Sequence, residues 1–185
     1  MPAASSPNGT ILRQPRPPAW VLCAKPCTEA PTGRHYGLAK VLVHLVYSTK
    51  NRTPWLDDPG LREELYAYKA TILRNNVDSP AVLIGGVADH VHIISLLSRK
   101  FAIKVVVEEA KTETTKWLKR QSPRLADFHW QSGYGIFSVS ESNVEPVKRY
   151  IARQEEHHRR MSFQEEFRVL CQRHGIDVDE RYVWD

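Results

Sequence analysis

Ala81-Val82-Leu83-Ile84-Gly85-Gly86-Val87, then Ala88-Asp89, then His90-Val91-His92-Ile93-Ile94-Ser95-Leu96-Leu97 is the stretch that decides the fold. Both flanks are rich in aliphatic and β-branched residues, and the break around Ala88-Asp89 has room only for a tight turn. The reading is two strands joined as a hairpin. Upstream, Ser79-Pro80 ends a helix read over Leu61 to Arg74, which Asp57-Asp58-Pro59 opens with a helix-start signal. Before that, Val41 to Tyr47 reads as a strand. Downstream, apolar residues at Ile103, Val106, Val107, Ala110, Thr114, Trp117 and Leu118 follow helical spacing over Ala102 to Arg120. Gly135 to Ser140 is a fourth strand.

The order βαββαβ predicts an α+β fold: a ferredoxin-like, split βαβ antiparallel sheet. A further helix follows, from near Ser142 to about Arg160. Ser142 and Glu145 fit the S-x-x-E capping box, and Pro146 falls in the first turn, where a missing N–H costs least. A short helix over Phe163 to Gln172 comes next. The implied division is a disordered tail over 1–37, one domain over 38–175, and a C-terminal tail over 176–185. Residues 1–37 hold seven of the twelve prolines and no apolar periodicity, so they cannot bury enough surface to offset their ordering entropy.

With 185 residues, 42% hydrophobic and 25% charged, the chain suits one soluble domain with a full core. No window approaches a membrane span, and Ala19 to Ala24 is too short for a signal core. The implied location is cytoplasmic. The net charge is +5, but much of it comes from Arg13, Arg16, Lys25 and Arg34, so any acidic partner must be argued from local clusters. Cys23, Cys27 and Cys171 are odd in number and lack a second ligand pair, which favours free thiols over a zinc site or a disulfide framework.

Three features carry chemistry. Strand period two puts His90 and His92 on one face, where two imidazoles can share a metal ion. By itself H-x-H more often marks surface or hydrogen-bonded histidines. A 2H phosphoesterase would need a second H-x-T/S motif, which His44-Leu45-Val46 does not supply. Next, Tyr150 and Gln154 lie four apart on a helix and share its face. A phenol of pKa near 10 needs a nearby cation to attack a phosphodiester. Gln154 offers a neutral oxygen as a third ligand, and His157 is a rival that spacing does not exclude. The competing reading is a core tyrosine beside a solvated glutamine. Finally, eight basic and three acidic residues lie between Arg99 and Arg124. Lys104, Lys111 and Thr115 line one edge of that helix, which could follow a nucleic-acid backbone. Lys148, Arg149, Arg153, Arg159 and Arg160 form a second basic cluster around Tyr150.

Asp89-His90-Val91-His92-Ile93, followed by Val147-Lys148-Arg149-Tyr150-Ile151-Ala152-Arg153-Gln154, resembles the signature of the single-tyrosine HUH transposases of small bacterial insertion sequences, the IS200-like transposases. Val43 to Arg52 resembles that family's first strand and its basic exit, and Trp130-Gln131-Ser132-Gly133-Tyr134 the stretch before its fourth strand. The likeness runs over about residues 40 to 160, in order. One departure is Lys111-Thr112-Glu113-Thr114-Thr115, where the family often has Lys-Gly-x-Ser-Ser.

The resemblance implies a DNA transposase. His90, His92 and Gln154 would bind Mg²⁺ or Mn²⁺, and Tyr150 would be the catalytic nucleophile, forming a 5′-phosphotyrosine and a free 3′-OH. Lys104, Lys111, Arg149 and Arg153 would contact DNA. The implied partners are single-stranded DNA with subterminal hairpins and a second copy of the chain, in a homodimer whose active sites are shared in trans. An in-cis site satisfies the same spacing. The other readings are a domesticated hairpin-binding module of the same fold, and a metal-dependent nuclease that hydrolyses rather than rejoins.

Overall fold

A computed structural model describes residues 38–181, 183 and 184. Cys23, Cys27 and the expected N-terminal tail lie outside the described residues. Four strands, β1 (Leu42–Ser48), β2 (Ala81–Gly86), β3 (His90–Leu96) and β4 (Gly135–Val139), form one sheet in the order β2-β3-β1-β4. Every neighbouring pair is antiparallel. Helix α1 (Pro59–Asn75) links β1 to β2, and α2 (Ile103–Gln121) links β3 to β4. This is the split βαβ arrangement that the hairpin at Ala88-Asp89 implied.

All seven residues of β1 are buried, which an alternating strand with one wet face would not show. On one face Leu45 and Tyr47 join Ile84, Val91, Ile93 and the apolar sides of α1 and α2 in the main core. Lys69 is buried there too: its amine donates to the Tyr47 hydroxyl at 2.8 Å and sits 4.2 Å from the Trp130 ring. Burial pushes its pKa well down. The other face carries Val46, His44, His90, His92 and Ile94, and a second helical layer covers it.

That layer is three helices: α3 (Val144–Ala152), α4 (Gln154–His157) and α5 (Phe163–Arg173). The sequence had read one continuous helix to Arg160. The chain instead leaves helical geometry at Arg153 (φ −106°, ψ 18°), whose N–H bonds to the Tyr150 carbonyl. The capping box read at Ser142 and Glu145 is absent. Ser142 lies in a 3₁₀ turn with its hydroxyl 3.0 Å from that of Ser140, and α3 starts at Asn143 without a side-chain cap. A capping box does form at Ser162 and Glu165, at the start of α5.

Helix α5 buries Phe163, Phe167 and Leu170 against Val46 and Phe137, each burial contributing about 1.5–3 kcal/mol. The stretch after residue 175 folds back on it: Arg168 pairs with Glu180 at 2.6 Å, and the Trp184 ring lies 5.9 Å from Phe167. Helix α3 docks through a missing side chain. A Cβ on Gly85 would meet Ile151 Cγ2 at 2.6 Å and the Ile151 carbonyl at 3.3 Å. Next to it, Gly86 takes φ 151° and passes so close to the His90 carbonyl that no side chain fits.

Gly85→Ala is therefore expected to push α3 off β2, with a cost of about 1–3 kcal/mol typical of overpacking. Urea denaturation checks it: an unchanged midpoint would mean that α3 does not pack on Gly85.

Candidate metal centre and tyrosine

Strand β3 sets His90 and His92 side by side on the face beneath α3–α5, both 0% exposed. The register pairs Val46 with His92 and Ser48 with His90, so β1 brings one more same-face imidazole, His44. Its Nε2 lies 3.0 Å from His92 Nδ1. His90 Nδ1 is held by Asp89 Oδ1 at 2.7 Å. A carboxylate only accepts, so Nδ1 carries a proton and Nε2 is the nitrogen turned inward. Burial, followed by the neighbouring His92, drops His44 to about 3. Burial also lowers His92 to about 4, against the pull of Glu166. Both rings are thus neutral near pH 7, the form that ligates metal.

The helical layer supplies the other half of the site. Gln154 is buried, with Oε1 3.3 Å from His90 Nε2. Tyr150 is half-buried, its ring edge-on to His92 with centroids 5.9 Å apart. Both meet on Glu166 of α5, which is 2% exposed. Glu166 Oε1 accepts from the Tyr150 hydroxyl and, at 2.8 Å, from Gln154 Nε2. Glu166 Oε2 lies 3.1 Å from His158 Nε2, 3.5 Å from His92 Nε2 and 3.7 Å from His90 Nε2. Burial alone would raise the Glu166 pKa, but contacts from His158, His92 and Tyr150 outweigh it and hold the carboxyl well below its usual range. Tyr150 moves up, through burial and then the Glu166 charge beside it. His158 also moves up: its bond to Glu166 outweighs its burial.

Among the described residues, His90, His92, His158 and Glu166 form a group that could hold a metal ion, with ligand atoms within 4.8 Å of one another. His92 Nε2 is buried in that group without a hydrogen-bond partner. A buried imidazole nitrogen left without a partner among convergent ligand atoms fits a cation site.

The sequence reading thus finds His90, His92, Tyr150 and Gln154 together, all within one chain. Of the two neighbouring histidines it is His158 that enters the cluster; His157 stacks edge-on to Tyr150 at 5.2 Å. Asp89, His44, His158 and Glu166 were given no role. For Glu166 a signal existed. Phe163, Glu166, Phe167 and Leu170 fall at i, i+3, i+4 and i+7, so a carboxylate stands inside an apolar stripe.

The candidate basic residues separate. Arg149 and Arg153 line a cleft of about 500 Å³ with Tyr150, His157 and Arg160. Lys104 is exposed on α2 and lies 3.5 Å from Glu108. The Lys111 ammonium turns inward, donating to the carbonyls of Gln131, Ser132 and Gly133 at 2.9, 3.3 and 2.7 Å. Burial lowers its pKa to about 8. It clamps the loop before β4, whose Gln131 Oε1 accepts from the Ser48 N–H at 2.8 Å.

The fold belongs to a known class. The chain belongs to the family described as transposase IS200-like, whose profile matches residues 38–154. Among solved structures, the chain is similar to a proposed transposase of Deinococcus radiodurans, with 22% identity over 68% of this chain and 98% of that one, TM-score 0.51. It is also similar to a REP-associated tyrosine transposase bound to a REP hairpin, with 13% identity over 70% of this chain and 74% of that one, TM-score 0.51. No curated protein matches. The matched profile ends at Gln154, before His158 and Glu166.

Asp89→Ala frees the His90 ring from its orienting carboxylate. Mn²⁺ affinity is expected to fall about ten- to a hundredfold, read by isothermal titration; wild-type affinity would show that Asp89 does not orient a ligand.

Proposed function

We propose that this chain cleaves and rejoins single-stranded DNA, with Tyr150 as nucleophile beside a divalent metal ion held by His90, His92 and Gln154. The observation that carries the reading is the convergence of Tyr150, Gln154 and two buried imidazoles at one point, with His92 Nε2 left without a hydrogen-bond partner. Membership of a transposase family supports the reaction class. One similar structure, a REP-associated tyrosine transposase, is bound to a REP hairpin, which supports a hairpin substrate here.

The chemistry follows from the side chains. The Tyr150 oxygen attacks a backbone phosphorus, and the bond from phosphorus to the 3′ oxygen breaks. The products are a 5′-phosphotyrosine and a free 3′-OH. The phenol hydrogen, held at Glu166 Oε1, ends on the departing 3′ oxygen. A divalent ion held by His90, His92 and Gln154, Mg²⁺ or Mn²⁺, would neutralise phosphate charge, which a phenol pushed above its ordinary pKa requires. Asp89 and His44 fix the rings of His90 and His92. Because the phosphotyrosine keeps the energy of the broken bond, a 3′-OH reverses the step without ATP.

Arg149, Arg153 and Arg160 face the cleft beside Tyr150 and make no ion pair among the described residues. They suit a phosphate backbone. Lys104 is exposed on α2, apart from that cleft and 3.5 Å from Glu108, whereas the Lys111 ammonium is engaged by carbonyls and supports the loop. Tyr150 and both histidines meet within one chain, a geometry that a site in cis has. A homodimer with exchanged Tyr150 helices is the competing arrangement.

The test is a labelled single-stranded hairpin incubated with the protein and Mn²⁺. A denaturing gel should show a covalent adduct. Tyr150→Phe is expected to lose it while hairpin binding stays nearly unchanged; an adduct in that variant would move the role to another residue, with Tyr134 first. His92→Ala is expected to lose metal-dependent cleavage. Verified heterodimers of Tyr150→Phe with His92→Ala separate the arrangements: a cis site leaves both copies inactive, and restored cleavage would establish trans.

A further inference from the structure

We propose that Glu166 is itself a ligand of the metal centre, so that α5 supplies an anionic arm lying beyond the residues the family profile matches. The inference rests on the metal centre put forward above and deepens it.

The two oxygens of Glu166 have different surroundings. Oε1 is occupied by Tyr150 and Gln154, a role that a purely structural carboxylate would fill. Oε2 accepts from His158 Nε2 at 3.1 Å and also faces both histidines of the pair. It faces His92 Nε2 at 3.5 Å and His90 Nε2 at 3.7 Å. His90 Nδ1 is anchored on Asp89, so Nε2 is the nitrogen turned toward Oε2. His92 Nε2 makes no hydrogen bond at all. Ligand atoms of His90, His92, His158 and Glu166 thus converge within 4.8 Å of one another in a buried place, a set of donors that suits a cation. Metal–ligand bonds of about 2.1 Å at tetrahedral or adjacent octahedral angles separate neighbouring ligand atoms by about 3.0–3.5 Å. The observed gaps need to contract only slightly.

The donor set has a consequence for the ion. Two imidazoles and a carboxylate, with His158 at 3.1 Å from the same oxygen, suit Mn²⁺ and other transition ions. Mg²⁺ prefers oxygen ligands and keeps its waters. The carboxylate also offsets half of the charge of a buried dication. It ties α5 to Tyr150 through the metal, so the helix that covers the site and the nucleophile respond together when the ion binds.

Isothermal titration of the full chain with Mn²⁺ alone tests this, comparing wild type, Glu166→Gln and His92→Ala. Gln keeps the side chain's size and removes its charge; circular dichroism checks that the variants fold. Glu166→Gln is expected to weaken Mn²⁺ binding at least about tenfold, and wild type to prefer Mn²⁺ over Mg²⁺ in competition. Wild-type affinity in Glu166→Gln with lost affinity in His92→Ala overturns the ligand role and leaves the metal centre standing. Retained affinity in both overturns the centre as well. A reading independent of any variant's folding is the number of waters on bound Mn²⁺ in the wild type, from ¹⁷O relaxation. About two is expected for a six-coordinate ion with four protein ligands; three or more overturns the proposal.

Discussion

Three imidazoles buried on one face of a sheet must be satisfied, and much of the second half of the chain is organised by that requirement. Strand period two puts His90 and His92 on the same face, and antiparallel pairing brings His44 beside them. An unpartnered polar group in such a place costs about 1–3 kcal/mol. Asp89 and His44 take one nitrogen of each ligand candidate. The inward nitrogens are left to residues from elsewhere: Gln154, His158 and Glu166. The layer α3–α5 is thus a polar lid with an apolar rim. Phe163, Phe167 and Leu170 hold it down while Glu166 reaches the centre.

The break at Arg153 makes that lid possible. A continuous helix to Arg160 would carry Tyr150, Gln154 and His157 along one stripe. Ending α3 at Ala152 and restarting at Gln154 changes the direction of the chain, so His158 rather than His157 turns into the cluster. Arg62 of α1 secures the restart through a 2.6 Å bond to Glu155. Gly85 lets α3 lie directly on β2, which sets the depth at which Tyr150 stands. A side chain on β2 would lift Tyr150 away from the histidines.

Charge is divided between structure and surface in a way that net charge conceals. Lys69 and Lys111 are both turned inward, one onto Tyr47 and Trp130, the other onto three carbonyls of the loop before β4. Burial depresses both, so neither adds a full free cation to the surface. The cations left to meet an acidic partner cluster beside Tyr150, on α3 and the turns that follow it. Local positive potential next to a nucleophile attracts and aligns a phosphate backbone better than the same charge spread over the chain.

What the sequence determined by itself was whatever depends on local periodicity. The hairpin at Ala88-Asp89, the helices before and after it, the βαββαβ order and the shared face of His90 and His92 all follow from spacings of two and about 3.6. The motif around Tyr150 and Gln154, with its likeness to the IS200-like transposases, was legible for the same reason: its residues are close in sequence. The tertiary structure decided what depends on contacts across the chain. His44 became a partner of His92 through a strand register 48 residues apart, and Glu166 met Tyr150 across the break at Arg153. The cap at Ser142 was a correct local pattern that lost to a 3₁₀ turn, while the same pattern was realised at Ser162. Glu166 lay in plain view inside an apolar stripe. Only the burial of that stripe against a face of histidines turned a charged residue on a short helix into the centre of the site, because a carboxylate removed from water must find cations or donors wherever the fold has put them.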